Sequence, residues 1–269
     1  MENPDQQVLH QEAEYEFPYH HLADLANLSN HRSWPWAIHY AVYLRTVIRL
    51  VVEERPTSVL DVGCGDGKLI WELARVLPPT TRMMGVDVSE RAIHFARGFN
   101  FGNGAEFRCS DVAELDETFD VVTLIETLEH IPDALVSRVT TSISARIKPG
   151  GKLIVTVPSI AVPLLQKHYR HYTREVLIES FPSLEPVYCS QFIHWTPLLE
   201  RLQIWATAFA SVGRIRRPLW RLIEQRAAPP DPNGPHVLGV FQRRLKDTGL
   251  IRSRHSDAVS CSRDLRHVQ

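Results

Sequence analysis

The sequence predicts an α/β protein built on a mostly parallel sheet with helices on both faces. Three observations carry this. From Ser58 onward, short apolar runs alternate with amphipathic stretches. The runs are apolar throughout, not on every second residue, as strands buried on both faces are. Gly, Ser and Pro fall at the joints between runs and helices.

Residues 1–15 read as loose chain, and residues 16–33 carry a weak helical pattern rich in aromatic residues and His. Residues 34–53 predict a helix, with Ile38, Val42, Leu44, Ile48 and Val51 at three-to-four spacing, closed by Pro56. SVLDV is the first strand and Gly63 to Gly67 a turn. KLIWELARVL is a helix ended by Pro78-Pro79. RMMGVDV is the second strand, followed by the helix SERAIHFARGF with Ser89 as N-cap. AEFRCSDV is the third strand and FDVVTLIET the fourth. DALVSRVTTSISARI is a helix stopped by Lys148-Pro149-Gly150-Gly151, and KLIVTVP the fifth strand. Residues 159–171 form a His- and aromatic-rich loop. REVLIESF is a short helix, PVYCSQFIHW a strand, residues 196–226 two helices, and HVLGVFQRR a last strand. Residues 246–269 read as a disordered tail.

Composition bounds the function. The chain has 269 residues, 44% hydrophobic and 23% charged, which is globular and long enough for one large α/β domain with additions. A net charge of -1 excludes a uniformly basic coat for nucleic acid. It conceals a gradient. Residues 53–135 hold 7 Lys and Arg against 16 Asp and Glu, and residues 201–269 hold 13 against 5. Four scattered cysteines without a CxxC pair read as reduced thiols in a cytoplasmic protein. The polar, acidic start is unlike a signal peptide. No run reaches the roughly 18 apolar residues of a membrane span. The most apolar run, residues 202–212, reads as a buried or lid helix.

Right-handed crossovers place the C-terminal ends of parallel strands on one sheet edge, where ligands bind. The unusual residues fall there. Asp61-Val-Gly63-Cys-Gly65-Asp-Gly67 follows the first strand and opens a helix, so backbone can approach a ligand closely. The spacing is GxGxG, without the GxGxxG or GxxxxGK[ST] of pyrophosphate and phosphate cradles. Asp87 ends the second strand, where a carboxylate can take both ribose hydroxyls. Asp111 ends the third, where it can accept from an adenine amino group. Together they describe a nucleoside site without a phosphate clamp.

VLDVGCGDG, GVDVSERAI, CSDV, FDVVTLIETLEHI and IKPGGKLIVTVP together resemble the successive motifs of class I S-adenosylmethionine-dependent methyltransferases. The resemblance covers roughly residues 56–175. It implies a Rossmann-like, seven-stranded, mostly parallel sheet with an antiparallel last strand, for which HVLGVFQRR is well placed. It implies that Asp61, Gly63, Gly65 and Gly67 shape the methionine pocket. Asp87 with Val88 would hold the ribose, Asp111 with Val112 the adenine, and Glu126 would line the cofactor pocket. The organisation expected is an N-terminal helical cap over residues 1–55, a methyltransferase domain over 56–245 with a helical lid inserted at about 195–227, and the tail 246–269.

Glu126-Thr-Leu-Glu129-His130 lies just past the fourth strand. A helical turn there would place Glu126, Glu129 and His130 on one face. Carboxylates with imidazole suit a divalent metal such as Mg²⁺ or Mn²⁺. The loop after the fifth strand can add His168 or His171 as a fourth ligand. Such a metal would lower an acceptor hydroxyl's pKa. The alternative is a metal-free base formed by Glu129, His130 and His168. ETLEH with His168…Thr173-Arg174 resembles the small-RNA 3′-terminal ribose 2′-O-methyltransferases, which favours His168. ETLEH followed by Pro132-Asp133 resembles the ubiquinone-pathway O-methyltransferases. Both imply oxygen methylation of a vicinal-diol or catechol-like acceptor.

Residues 14–40 hold Tyr15, Phe17, Tyr19, His20 and His21, which wall an acceptor site or simply pack. Arg214, Arg216, Arg217 and Arg221 offer an anion-binding face on the basic C-terminal part. The expected activity is S-adenosylmethionine-dependent O-methylation of a small hydroxylated molecule, a sugar or secondary metabolite. The alternatives are an RNA-terminal ribose methyltransferase and a small-molecule N-methyltransferase.

Overall fold

A computed structural model describes Tyr15, residues 33–193, Gln225 and residues 230–245. Apart from Ser33 and Gln225, the weak helical pattern over 16–33 and the helices expected over 196–226 lie outside these residues, as do the Arg214–Arg221 stretch and the tail. Helix α1 (Ser33–Glu53) leads into β1 (Ser58–Val62), α2 (Lys68–Leu73), β2 (Arg82–Asp87), α3 (Glu90–Phe99) and β3 (Glu106–Cys109). Then follow β4 (Phe119–Ile125), α4 (Asp133–Ala145), β5 (Ile147–Pro158), α5 (Arg174–Glu179), β6 (Glu185–Phe192) and β7 (His236–Gln242).

The seven strands form one sheet in the order β3-β2-β1-β4-β5-β7-β6. Strand β7 is antiparallel to both β5 and β6, while β1 to β5 pair in parallel. Apolar strands sort their side chains to two cores by alternation. Val59, Val121 and Ile154 face the core under α1, α2 and α3. Leu60, Val122, Leu153 and Val155 face the core that includes Val136 and Ile143 of α4 and Leu177 of α5. Fully burying each such side chain is worth roughly 1.5–3 kcal/mol. Of the predicted stripe on α1, Val42, Leu44 and Val51 are buried and Ile48 is partly buried, and Val47, not in that stripe, is buried with them.

Two sequence expectations change. Lys148–Gly151 does not terminate α4. The helix ends at Ala145, and the four residues form a bulge inside β5, between the pairs Phe119↔Ile147 and Val121↔Lys152. Pro149 cannot donate to a ladder, and a bulge is where a strand tolerates it. Strand β3 stops at Cys109, so Asp111 does not end it. Asp111 instead caps a 3₁₀ turn, Val112–Glu114, by accepting from the Ala113 N–H at 2.9 Å.

The sheet edge opposite the glycine turn is locked by Asp120. Its Oδ2 accepts from the backbone N–H and hydroxyl groups of Thr57 and Ser58, and Oδ1 from Lys148 Nζ at 2.9 Å. Burial pushes this carboxyl up, but the bonds from Thr57, Lys148 and Ser58 prevail and hold it below the ordinary carboxylate range. One side chain thus staples the starts of β1, β4 and β5. No helix among the described residues is long and apolar enough to cross a membrane.

Candidate functional site

The turn after β1 is held from β2. The N–H groups of Gly63 and Cys64 both donate to the Val86 carbonyl, at 2.8 and 3.0 Å. Gly63 has φ of 67°, and a Cβ there would lie 2.4 Å from the Thr127 side chain. Only glycine fits this left-handed, crowded position. The side chains of Cys64 and Asp66 are buried, and of the turn's glycines Gly63 is the partly exposed one. Gly67 is the N-cap of α2.

Asp87 braces the same turn. Its Oδ2 accepts from Gly65 N–H at 2.9 Å and its Oδ1 from Ser89 N–H at 2.9 Å. Ser89 caps α3 as its sequence predicts, accepting from Ala92 N–H at 3.1 Å. Beside it Val88 is exposed. Asp61 is buried in β1 and accepts from the Thr123 hydroxyl at 2.7 Å. Burial raises its pKa to about 7, against the Thr123 hydrogen bond and with help from the Asp87 charge. Asp111 is engaged by Arg138, Nη2 to Oδ2 at 2.6 Å, and Val112 is buried below it.

The ExxEH segment does not present one face. Glu126 takes φ of 49° and its N–H donates to the Thr156 carbonyl of β5. That turn directs Oε2 to Nδ1 of His236, 3.1 Å away. Burial pushes Glu126 up, but His236, and more weakly His130, prevail and hold it below the ordinary range. Among the described residues, one donor atom each of Glu129, His130 and His168 lies within 4.8 Å of the others. Of the residues expected at a metal, Glu126 and His171 lie outside this group. His236 stands beside Glu126 at this edge, and the sequence motifs do not single it out. A signal exists nonetheless: an antiparallel last strand brings its first residue to the ligand edge, opposite Pro158.

The cluster is enclosed. Glu129 is 1% exposed, and burial with the nearby Glu126 charge pushes its carboxyl well up. Its Oε2 is buried without a hydrogen-bond partner among the described residues, as is Oε1 of Glu126. The rings of His130 and His168 meet edge to face at 4.7 Å. His130 Nδ1 is 3.1 Å from the Lys167 carbonyl, so that nitrogen carries the proton and Nε2 is the lone pair. Nε2 lies 3.8 Å from Glu129 Oε1. Burial first, then the charges of His130, Lys167 and His171, push His168 down to about 3. The loop 159–172 is pinned at its ends. Tyr172 N–H donates to Pro158 and Ile160 N–H to Tyr172. Inside the loop, Tyr169 N–H reaches the Glu129 carbonyl at 2.8 Å, and Arg170 pairs with Asp133.

A family model described as a methyltransferase domain matches residues 36–205. The chain belongs to this methyltransferase family. Its fold and motifs place it in the class I S-adenosylmethionine-dependent superfamily. Among curated relatives, a ubiquinone biosynthesis O-methyltransferase of Coxiella burnetii is 41% identical over 105 residues, 35% of this chain and 41% of that protein. The protein of the same name from Bordetella avium is 38% identical over 99 residues, 35% of this chain and 39% of that one. The match thus spans about two fifths of the length of these relatives.

Solved structures share the methyltransferase fold. The N-methyltransferase NodS from Bradyrhizobium japonicum aligns with a TM-score of 0.51 at 16% identity, covering 74% of this chain and 96% of that one. A S-adenosylmethionine-dependent methyltransferase from Clostridium acetobutylicum aligns at 0.53 with 13% identity, covering 76% and 92%. Identities this low establish the shared architecture alone. In this methyltransferase, the turn, Asp87 and the Glu129–His130–His168 cluster all follow strand ends at one sheet edge.

Proposed function

We propose that the chain transfers the methyl group of S-adenosylmethionine to a hydroxyl oxygen of a small acceptor. The observation that carries this is the convergence of Glu129, His130 and His168 at the edge that also holds the glycine turn and Asp87. The names of the curated relatives support the choice of oxygen.

The residues fit the cofactor. The Cys64 and Asp66 side chains of the turn are buried, so its glycine backbone would meet the cofactor, and the Asp87 carboxylate that braces the turn would accept from the ribose hydroxyls. Asp61 stands below the methionine end, and Asp111 with Val112 takes the adenine once Arg138 yields. Bound S-adenosylmethionine supplies a sulfonium methyl open to in-line attack. The chain's work is to align the acceptor and exclude water.

The cluster also fits a divalent cation. Glu129 Oε2 is a buried oxygen without a partner among the described residues, and two imidazoles stand beside it. Glu129, His130 and His168 would hold the cation, which would lower the pKa of an acceptor hydroxyl. With or without it, the acceptor gives up its proton at this cluster. His130 is the more exposed imidazole and has its Nε2 lone pair facing inward, so it receives the proton.

The test is transfer of a labelled methyl from S-adenosylmethionine to a panel of catechols, sugars and amines, with and without Mn²⁺. Mass-spectrometric fragmentation then places the label. The expected result is an oxygen-linked methyl. A label found only on amines contradicts the proposal.

A further inference from the structure

His171 stands outside the cluster, and its geometry gives it a task other than ligation. Its Nδ1 lies 3.1 Å from the Val162 carbonyl, and its Nε2 lies 2.8 Å from Nδ1 of His168. A carbonyl can only accept, so His171 carries its proton on Nδ1. A neutral imidazole has one N–H, which leaves Nε2 of His171 as a lone pair. The 2.8 Å contact then requires the proton of His168 on Nδ1. Nε2 becomes the one nitrogen of His168 able to take a proton or a cation.

We infer that His171 is a positioning residue that fixes the tautomer and ring orientation of His168. This rests on the proposed role of the Glu129–His130–His168 cluster. The two imidazoles of the cluster are anchored in parallel. His130 donates to the Lys167 carbonyl directly, and His168 reaches the Val162 carbonyl through His171. Val162 is itself held, its N–H donating to the Ser159 carbonyl at 3.2 Å. Ser159 in turn donates through Oγ to Gly234 at 2.6 Å and accepts from Ala161 N–H. The Ser159–Tyr172 bridge closes the loop. Residues that orient a ligating or basic imidazole in this way typically change affinity or activity by about 10- to 100-fold when removed.

The decisive reading is the histidine tautomer, taken from long-range ¹H–¹⁵N correlations of ¹⁵N-histidine-labelled protein, with His168 assigned by its loss in His168→Gln. The expected spectrum shows His168 protonated on Nδ1 and bare on Nε2. His171→Phe should scramble that signature and lower kcat about 10- to 100-fold, with KM for S-adenosylmethionine little changed. His171→Gln, whose amide oxygen can accept the Nδ1 proton, should restore both. A wild-type His168 protonated on Nε2 overturns the inference, as does a His171→Phe protein with unchanged tautomer and rate. If His171→Phe fails to fold, the wild-type spectrum still decides. A chain that shows the expected tautomer but transfers no methyl overturns the functional reading and leaves the positioning role standing.

Discussion

Glu126 Oε2 lies 3.1 Å from Nδ1 of His236, across 110 residues of chain. The two side chains are 21% and 14% exposed, so water screens them little. The His236 ring also sits 5.1 Å from Tyr43 of α1 and 6.1 Å from Phe192 of β6. The pair therefore ties the N-terminal helix and the last strand to the turn after β4. His236→Leu should destabilise the fold by about 2 kcal/mol, because it strands a buried carboxylate. His236→Asn, which keeps a donor near Nδ1, should recover a large part. Urea unfolding followed by circular dichroism measures both.

The crowding at Gly63 makes a second prediction. Gly63→Ala places a Cβ 2.4 Å from Thr127 in a left-handed conformation. It should cost about 1–3 kcal/mol of stability from strain, beyond the steric contact. Thr127→Ala in the same chain should remove the two 2.4 Å contacts, leaving the 2.9 Å approach to Thr127 Cβ and the strain. Thermal unfolding of the single and double variants separates the two contributions.

Asp61 predicts a pH dependence with a definite sign. Its pKa is about 7 in the folded chain, against 3.8 for an ordinary aspartate such as the unfolded chain presents. Between those values the folded chain holds a proton that the unfolded chain has released. Stability from this group is therefore greatest below about pH 4 and falls as pH rises toward 7. Asp61→Asn should flatten the profile in that window. Unfolding midpoints at half-unit steps from about pH 4 to about pH 8, compared between the two proteins, check it. Equal slopes would contradict the buried, proton-holding carboxyl.

How much the sequence reveals depends on how local the signal is. The alternation of strands and helices, the turn at Gly63–Gly67 and the Ser89 cap follow from motifs within a few residues of each other. Glu129 and His130 are legible because they lie within five residues of the end of β4, and His168 because it lies in the loop after β5. The direction of Glu126 is not. It depends on a positive φ that no residue type announces, and its partner arrives on an antiparallel strand 110 residues later. The resemblance around His168…Thr173-Arg174 favours His168 over His171, but the contact of His171 with the Val162 carbonyl, a backbone group, has no sequence signature. The bulge at Lys148–Gly151 reads as a helix stop because Pro and Gly punctuate turns and bulges alike.

The charge gradient has a partial structural meaning. The acidic segment 53–135 supplies the Asp120 staple, the Asp87 brace and the buried Glu129 carboxyl of the cluster. Asp87→Ala should weaken binding of S-adenosylhomocysteine by about 10- to 100-fold, the loss expected for hydrogen bonds to a charged group. Calorimetric titration measures it, and Glu117→Ala, a surface acid paired with Arg82 and Arg108, is the control that should leave affinity unchanged.

The central claim is that the acceptor's proton leaves at the Glu129–His130–His168 cluster beside a bound cofactor. The most direct test compares kcat for methyl transfer in the wild type and His130→Gln, with S-adenosylhomocysteine affinity measured on the same preparations. The account predicts a loss of about 10²- to 10⁴-fold in kcat, the usual worth of a positioned general base, with cofactor affinity unchanged. A His130→Gln protein that methylates at the wild-type rate would contradict it.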